Sequence, residues 1–288
     1  MSKIYKMYIY ILMNLYNFDL YIHSNRKNKI PALTSYWSFK KHNNGLEIYI
    51  ENLENLPLLM ECNGKNFIRG GRNCMLNTNS SQSFFFVRFI CCELAKKKNS
   101  KKWILIIDPD IFCLKSIEKL NEYIIEAEDK DKHIICNKNL SSFMLINTDK
   151  INWCEKTIIH NIFNLKENVD NYMLLNKYKK VILNIPEKYN SYDKLNSETI
   201  CLHTSETSTQ PWKTGIKYFP SDLHNGVPNK DENKNMTFQK HKSDNIEKET
   251  ISILKEAFNN KYFTVEDLKE EIYRENIRSD IFKIFANF

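Results

Sequence analysis

A continuous apolar run at residues 103–107, Trp-Ile-Leu-Ile-Ile, limits the possible folds more than any other feature of the chain. A strand that is apolar on both faces lies inside a sheet that helices cover on both sides. Strand-like runs at residues 18–23 and 46–50 flank a segment with apolar residues at helical spacing, which begins near Pro31 and ends at Gly45. The pattern therefore predicts an α/β fold with a mixed, mostly parallel sheet flanked by helices.

The rest of the pattern divides the chain into three parts. Its 288 residues, 42% of them hydrophobic, suffice for one large domain with a short appendage. We expect a main domain over residues 1–224, a polar linker or mobile loop over residues 225–245, and a C-terminal helical extension over residues 246–288. Thr264 and Asp267 have the spacing that begins a helix in this extension.

Three local expectations concern shorter segments. Residues 61–83 are largely polar and predict a long loop. Ser116 is expected to cap a helix that begins at Ile117. A further helix is expected over residues 169–177.

Charge and cysteine content narrow the functional class. The formal net charge of +7 suits anionic partners such as nucleotides, but no repeat of basic and aromatic residues supports a nucleic-acid binder. The eight cysteines form no Cys-x-x-Cys pair, so neither a zinc ribbon nor a redox motif is indicated. Free cysteines inside apolar runs behave as small hydrophobic residues, and we expect a reduced, cytoplasmic protein.

The N-terminal stretch Met1–Tyr21 is apolar but interrupted by polar residues, among them Lys6 and Asp19. These interruptions and the lack of a small-residue cleavage site argue against a signal peptide or a membrane span. We expect a buried strand here and no transmembrane segment, which leaves peripheral membrane contact open.

Asp108 and Asp110 follow the apolar run directly, one residue apart. The carboxyl end of a buried strand is where open α/β sheets bind ligands. Two carboxylates at close quarters need a counter-charge, and oxygen ligands favour Mg²⁺ or Mn²⁺, which bridge substrate phosphates. His203 also follows an apolar strand, and it is a candidate third ligand from a distant part of the chain.

Four motifs together resemble the GT-A fold glycosyltransferases, in particular the family of glycogenin and the bacterial lipopolysaccharide galactosyltransferases. The motifs are Arg88 with the Asp-Pro-Asp segment that ends the apolar run, the strand segment 141–147, the helix start at 168–174, and His203 followed by Gln210-Pro211-Trp212. Each motif is loose by itself, but their common order makes the resemblance fairly specific over residues 18–220.

The resemblance implies a metal-dependent transfer of a sugar from a nucleotide-diphospho-sugar. The donor would be a UDP-sugar, and the acceptor a glycan, a lipid or a protein. The metal, Mn²⁺ or Mg²⁺, would be bound by Asp108, Asp110 and His203, while Arg88, Asp108 and Lys213 would surround the diphosphate. Asp170 and Asn171 would bond sugar hydroxyls and place the anomeric carbon for attack.

The sequence departs from the family pattern at several of these positions. The glycine expected after His203 is absent, and Gln210 stands where a lysine is usual, so Lys213 is the nearest cation for the diphosphate. Asn171 replaces a glutamine. The donor sugar and the anomeric outcome therefore stay open.

Other readings of the Asp pair remain. A nucleotidyltransferase shares the fold and the metal but generally has a glycine-rich loop after the first strand, and residues 24–29 contain no glycine. A phosphatase of the haloacid dehalogenase type has its Asp pair near the N-terminus and followed by a threonine, whereas Phe112 and Cys113 follow here. A non-catalytic module would bind a nucleotide-sugar without turnover.

Overall fold

The computed structural model describes residues 15–218, apart from residues 152 and 154, and residues 236–287. Residues 1–14, most of the predicted N-terminal strand, lie outside the described residues, as does the greater part of the predicted linker at 225–245. The observed first strand begins at Phe18.

A six-stranded sheet forms the centre of the fold, with the strand order β2-β1-β5-β8-β7-β9. Only β8 within this sheet is antiparallel to its neighbours, since every other adjacent pair is parallel. The predicted mixed, mostly parallel sheet is thereby confirmed. Its strands are Phe18–Ser24 (β1), Ile48–Asn52 (β2), Trp103–Ile107 (β5), Ile134–Cys136 (β7), Phe143–Asn147 (β8) and Ile182–Asn184 (β9).

Helices cover both faces of this sheet, because the central strand is apolar on both sides. Ile104 and Ile106 of β5 belong to one buried cluster, and Trp103, Leu105 and Ile107 to the cluster on the opposite face. The helices of the main domain are Lys29–His42 (α1), Pro57–Met60 (α2), Cys91–Lys97 (α3), Leu120–Asp129 (α4), Glu155–Phe163 (α5) and Asp170–Met173 (α6).

A second, three-stranded sheet lies at the carboxyl end of β5. It has the order β10-β11-β6 and consists of Ile111–Cys113 (β6), Ser191–Tyr192 (β10) and Cys201–His203 (β11). The short segment Asp108–Asp110 therefore connects a strand of the main sheet to a strand of this smaller one.

The prediction of a long loop over residues 61–83 is wrong. Asn66–Arg69 (β3) and Arg72–Met75 (β4) form an antiparallel hairpin in which Phe67 pairs with Cys74, both buried. Gly70 and Gly71 make the two-residue turn, with φ of +56° and +71° that glycine adopts without strain. Most other side chains of the hairpin are polar and face outward, so the two buried positions do not stand out in the sequence.

The predicted helix starts and ends also need correction. Ser116 Oγ accepts from the N–H of Glu118 at 3.2 Å, but only a turn follows it, and the helix begins at Leu120 after Lys119, so Ser116 does not cap the helix. The helix expected over 169–177 is only the single turn α6. Leu175 has a φ of +50°, which ends the α-helix before a 3₁₀ segment continues over Asn176–Val181.

The C-terminal helices pack onto the main domain. They span Asp244–Asn259 (α7), Val265–Tyr273 (α8) and Ile281–Asn287 (α9). Their apolar side chains share one buried cluster with Phe112 and Trp212. The expected helix start is confirmed, since Thr264 Oγ1 accepts from the N–H of Asp267 and Asp267 Oδ2 accepts from that of Thr264. The division of the chain at residues 224 and 245 stays a prediction.

Part of the predicted linker has regular structure. Lys217–Tyr218 (β12) pairs with Met236–Thr237 (β13) in a small antiparallel ladder. None of the described helices combines the length and the apolar character that crossing a bilayer requires.

Candidate metal and substrate site

The pairing of β6 with β11 brings His203 to the Asp pair. The register places His203 opposite Ile111, directly after Asp110, and the N–H of Thr204 donates to Asp110 O at 3.1 Å. Asp108 stands at the carboxyl end of β5, and its N–H donates to Ser142 O at 3.0 Å. Two residues of one short segment, separated only by Pro109, and a third from 93 positions after Asp110 thus meet at one edge of the sheet.

The three side chains converge with a geometry that suits a cation. One ligand atom from each of Asp108, Asp110 and His203 lies within 4.8 Å of the others. His203 Nε2 is 3.5 Å from Asp110 Oδ1 and 3.9 Å from Asp108 Oδ2. Gln210 Nε2 donates to Asp110 Oδ2 at 3.0 Å, whereas the buried Asp110 Oδ1 accepts no hydrogen bond from the described residues when His203 is neutral. A buried carboxylate oxygen without a donor has the chemistry of a metal ligand.

Asn190 fixes the orientation of His203. Asn190 Oδ1 lies 3.0 Å from His203 Nδ1, and its amide nitrogen donates to Tyr192 Oη at 3.0 Å and to Ser142 Oγ at 3.2 Å. Because the amide nitrogen of Asn190 donates to these two hydroxyls, its carbonyl oxygen faces the ring of His203. That oxygen accepts a hydrogen bond from the Nδ1–H of His203. His203 Nε2 then carries the lone pair toward the carboxylates.

The carboxylates also control the charge of this histidine. Burial acts to lower the pKa of His203, but the hydrogen bond that the protonated imidazole donates to Asp110 and the charges of Asp110 and Asp108 outweigh it and raise the pKa. Without a cation, His203 therefore keeps its proton to a higher pH than an ordinary histidine does. A bound divalent cation competes with that proton.

Arg88 contacts the Asp pair through Asp108. Its side chain is buried, with Nη2 at 2.5 Å from Asp108 Oδ1 and Nη1 at 2.5 Å from Ser141 Oγ. Burial acts to raise the pKa of Asp108, but the charge of Arg88 and the contact with His23 outweigh it and hold the pKa well below its usual range. Asp108 therefore stays ionised although little of it is exposed.

His23 is a site residue that sequence reasoning missed. Its Nε2 lies 2.9 Å from Asp108 Oδ1, and its ring stacks on Phe84 at a centroid distance of 5.3 Å. The signal was available: β1 and β5 run in parallel with Ile22 opposite Ile107, so the next residue of each strand is a neighbour across the sheet. A polar residue at the end of an apolar strand should have been assigned to the same edge.

A cavity of about 300 Å³ opens above these residues. Asp170 lines it, and its Oδ2 accepts from the N–H of Gly70 at 2.5 Å, which ties the β3–β4 turn to helix α6. Arg69 lines it too, with its guanidinium 5.0 Å from the Phe85 ring centroid, and sequence reasoning missed this residue. Asn171 is half-buried and does not line the cavity.

Lys213 lies outside this cavity. Its side chain is buried and faces a neighbouring cavity, where its ammonium nitrogen is 5.4 Å from the Phe238 ring centroid. Burial and the nearby charge of Lys27 lower the pKa of Lys213 to about 8, although the charge of Asp110 acts in the opposite direction. The structure thus brings Arg88, Asp108, Asp110, Asp170 and His203 together around one cavity and places Lys213 in the next.

Comparisons with known proteins find similarity in structure only. No protein-family model and no curated protein matches the chain. The glycosyltransferase GlyE of Streptococcus pneumoniae TIGR4 matches 85% of this chain at 14% identity, with a TM-score of 0.49, and the chain spans 64% of that protein's length. The galactosyltransferase LgtC, solved with donor and acceptor sugar analogs, matches 67% of this chain and 89% of its own at 11% identity, with a TM-score of 0.43.

Mouse xyloside xylosyltransferase 1 matches 65% of this chain and 97% of its own at 10% identity, with a TM-score of 0.42. These three structures are glycosyltransferases, the class that the sequence resembles. The similarity is in the path of the chain, and the identities are too low to match individual residues.

Proposed function

We propose that this chain is a metal-dependent glycosyltransferase that moves a sugar from a nucleotide-diphospho-sugar to a glycan, lipid or protein acceptor, with a UDP-hexose as donor. The observation that supports it most is the buried Asp110 Oδ1, which faces His203 Nε2 at the carboxyl end of the sheet and has no donor among the described residues when that histidine is neutral. Buried polar atoms are almost always partnered, so a role as a cation ligand is the simplest account of this one.

Asp108, Asp110 and His203 would hold Mn²⁺ or Mg²⁺, a set of two carboxylates and one imidazole that leaves positions for phosphate oxygens and water. When bound, such a cation acts as a Lewis acid that neutralises charge on a departing nucleoside diphosphate. Two further residues of the protein prepare the ligands for this cation. Arg88 keeps Asp108 ionised and fixed, and Asn190 presents the metal-binding nitrogen of His203.

The substrate side of the site is formed by Asp170 and the arginines. Asp170 lines the cavity and is held by Gly70, so we propose that it accepts hydrogen bonds from the sugar. Asn171 follows it in helix α6, and its contact with the sugar is proposed from the resemblance alone. Arg69 and Arg88 line the same cavity and supply positive charge for an anionic donor.

We propose that Lys213 contributes positive charge to the diphosphate from a greater distance than the two arginines. Its charge interacts with Asp110 through the protein, although its ammonium faces the neighbouring cavity. The described cysteines are all free and buried, which supports the proposal of a reduced, cytoplasmic protein. Peripheral contact with a membrane is proposed only as a route to a lipid acceptor.

Two alternatives use the same residues and make different products. A nucleotidyltransferase would release pyrophosphate from a nucleoside triphosphate, whereas a glycosyltransferase releases a nucleoside diphosphate from the sugar. A non-catalytic module would bind the nucleotide-sugar and release neither. Product analysis therefore separates the three.

A donor screen tests the proposal. The chain is incubated with a panel of nucleotide-sugars and with nucleoside triphosphates, with Mn²⁺ or with chelator, and nucleoside diphosphate and pyrophosphate are measured. We expect metal-dependent release of nucleoside diphosphate that Asp110→Asn abolishes, because the variant lacks a charged ligand. Asp129→Asn, an exposed aspartate at the end of α4, serves as control. Release that is equal with and without metal would refute the proposal.

A further inference from the structure

A second cavity, of about 180 Å³, lies beside the metal cavity. Neighbouring residues of one loop separate the two, since Ser81 lines this cavity and Gln82 the other. Among the described residues, four cationic side chains and one acidic side chain line it, an excess of three positive charges. They are Lys27, Lys213, Lys217, Arg274 and Glu275.

Lys213 is the central observation in this cavity. Only 4% of the residue is exposed, and it forms no ion pair with any carboxylate of the described residues. An ammonium removed from water without a direct ion pair costs several kcal/mol of effective desolvation, and the more distant charge of Asp110 offsets only part of that cost for Lys213. Such a residue is seldom retained in a core without a ligand that offsets the cost, and perturbed lysines concentrate at functional sites.

Packing and hydrogen bonds hold the backbone around Lys213 and set the direction of its side chain. Lys213 ends the 3₁₀ turn Pro211–Lys213, in which Trp212 is fully buried and meets Phe112 edge to face at a centroid distance of 5.9 Å. The carbonyl of Trp212 also accepts from the N–H of Arg278 at 2.8 Å. The turn is thus held between strand β6 of the three-stranded sheet and the C-terminal helices, and it directs the lysine into the cavity.

The other cations differ in how far they are already neutralised. Arg274 pairs with Glu270 at 2.7 Å and therefore brings little free charge. Lys27 is half-buried and Lys217 is exposed at the rim, and neither is paired with a carboxylate of the described residues. Lys27 and Lys213 repel one another across the cavity, since the charge of Lys27 helps to lower the pKa of Lys213. A ligand between them would have to be anionic.

We propose that this cavity binds a phosphate-type anion between Lys213 and Lys27, separately from the metal site. A doubly charged group neutralises both ammoniums at once, and lysine binds phosphate as a compact point charge. The volume suits a phosphate or a diphosphate.

The phosphate has two possible sources. It belongs to the donor if the diphosphate extends from the metal cavity past Ser81, a case that rests on the proposed function. Otherwise it belongs to a separate phosphorylated molecule, a case that does not depend on the transfer reaction.

Calorimetric titration with inorganic pyrophosphate in the presence of chelator tests the proposal, because the metal site is then empty of cation. We expect the wild type to bind, and Lys213→Gln and Lys27→Gln each to weaken binding at least about tenfold, the effect of losing roughly 1.4 kcal/mol from a charge-assisted contact. Lys269→Gln, an exposed lysine on α8, should bind like the wild type. No binding by the wild type, or unchanged affinity in the folded Lys213 and Lys27 variants, would overturn the proposal.

A second titration identifies the source. If the donor's diphosphate occupies the cavity, the two lysine variants also weaken binding of UDP in the presence of Mn²⁺. If a separate molecule occupies it, UDP binding with Mn²⁺ is unchanged while pyrophosphate binding is lost. Asp110→Asn should lose metal-dependent UDP binding and keep pyrophosphate binding. Failure of the metal site and failure of the anion site are thus distinguishable.

Discussion

Replacement of the buried lysine, Lys213→Met, should stabilise the protein at neutral pH. The side chain is almost fully buried and has no carboxylate partner among the described residues, so its charge opposes folding. Methionine has a similar length and an apolar, adaptable side chain that fits beside Phe238 and Trp212. A stabilising substitution at a charged position is unusual, which makes the prediction discriminating.

The magnitude follows from the pKa of Lys213. Lowering it from 10.5 to about 8 corresponds to about 3 kcal/mol of unfavourable free energy for the charged form. Between these two pKa values the unfolded state binds more protons than the folded state, so stability rises with pH through that window. Below pH 8 both states are protonated and the full cost is present. The expected gain in the variant at pH 7 is therefore at most about 3 kcal/mol.

Urea unfolding of wild type and variant at pH 7 and at pH 10 measures this directly. At pH 7 the variant should have the higher urea midpoint, and in a thermal scan its melting temperature should be higher by on the order of 5 °C. The difference in stability between the two proteins should shrink at pH 10. Lys269→Met, on the exposed face of α8, controls for loss of a surface charge. Equal or lower stability of Lys213→Met at pH 7 would refute the interpretation of an unpaired buried cation. Pyrophosphate should raise the stability of the wild type and leave that of the variant unchanged.

The Arg88 and His203 predictions concern the metal site. Arg88→Met should cost about 3–5 kcal/mol of unfolding free energy, because it leaves Asp108 poorly compensated. In urea unfolding experiments, Mn²⁺ should restore part of the lost unfolding free energy. The exposed Arg72→Met is the control, and a loss of unfolding free energy in Arg88→Met as small as in this control would contradict the prediction. The pKa of His203 is raised, so protonation of this histidine should compete with the metal already above the usual pH of 6.5. Calorimetry should therefore show that the Mn²⁺ affinity falls as pH drops, with a midpoint above 6.5. A midpoint at or below 6.5 would contradict the prediction. Without metal, the stability that its imidazolium contributes should be lost as pH rises through the folded-state pKa.

Local patterns determined the centre of the fold. The apolar run that forms β5 is buried on both faces. A strand of this kind can be predicted from the sequence because all of its consecutive residues are apolar. The start of α8 was equally predictable, since Thr264 and Asp267 bond one another within one turn. The hairpin at Gly70 was missed because its two inward residues are separated by polar ones, although the Gly-Gly pair is itself a turn signal.

The candidate site divides in the same way. The position of Asp108 and Asp110 at a strand end followed from the sequence, because the strand and the Asp pair are contiguous. Their neighbours did not: His23 reaches Asp108 through the register of β1 with β5, and Asn190 reaches His203 through the pairing of β10 with β11. Lys213 was expected beside the diphosphate, and the turn that Trp212 anchors in the C-terminal helices directs it into another cavity. A sequence specifies which residues are buried and which bonds form within a few positions, whereas contacts between distant segments depend on strand register and helix packing, which only the folded chain decides.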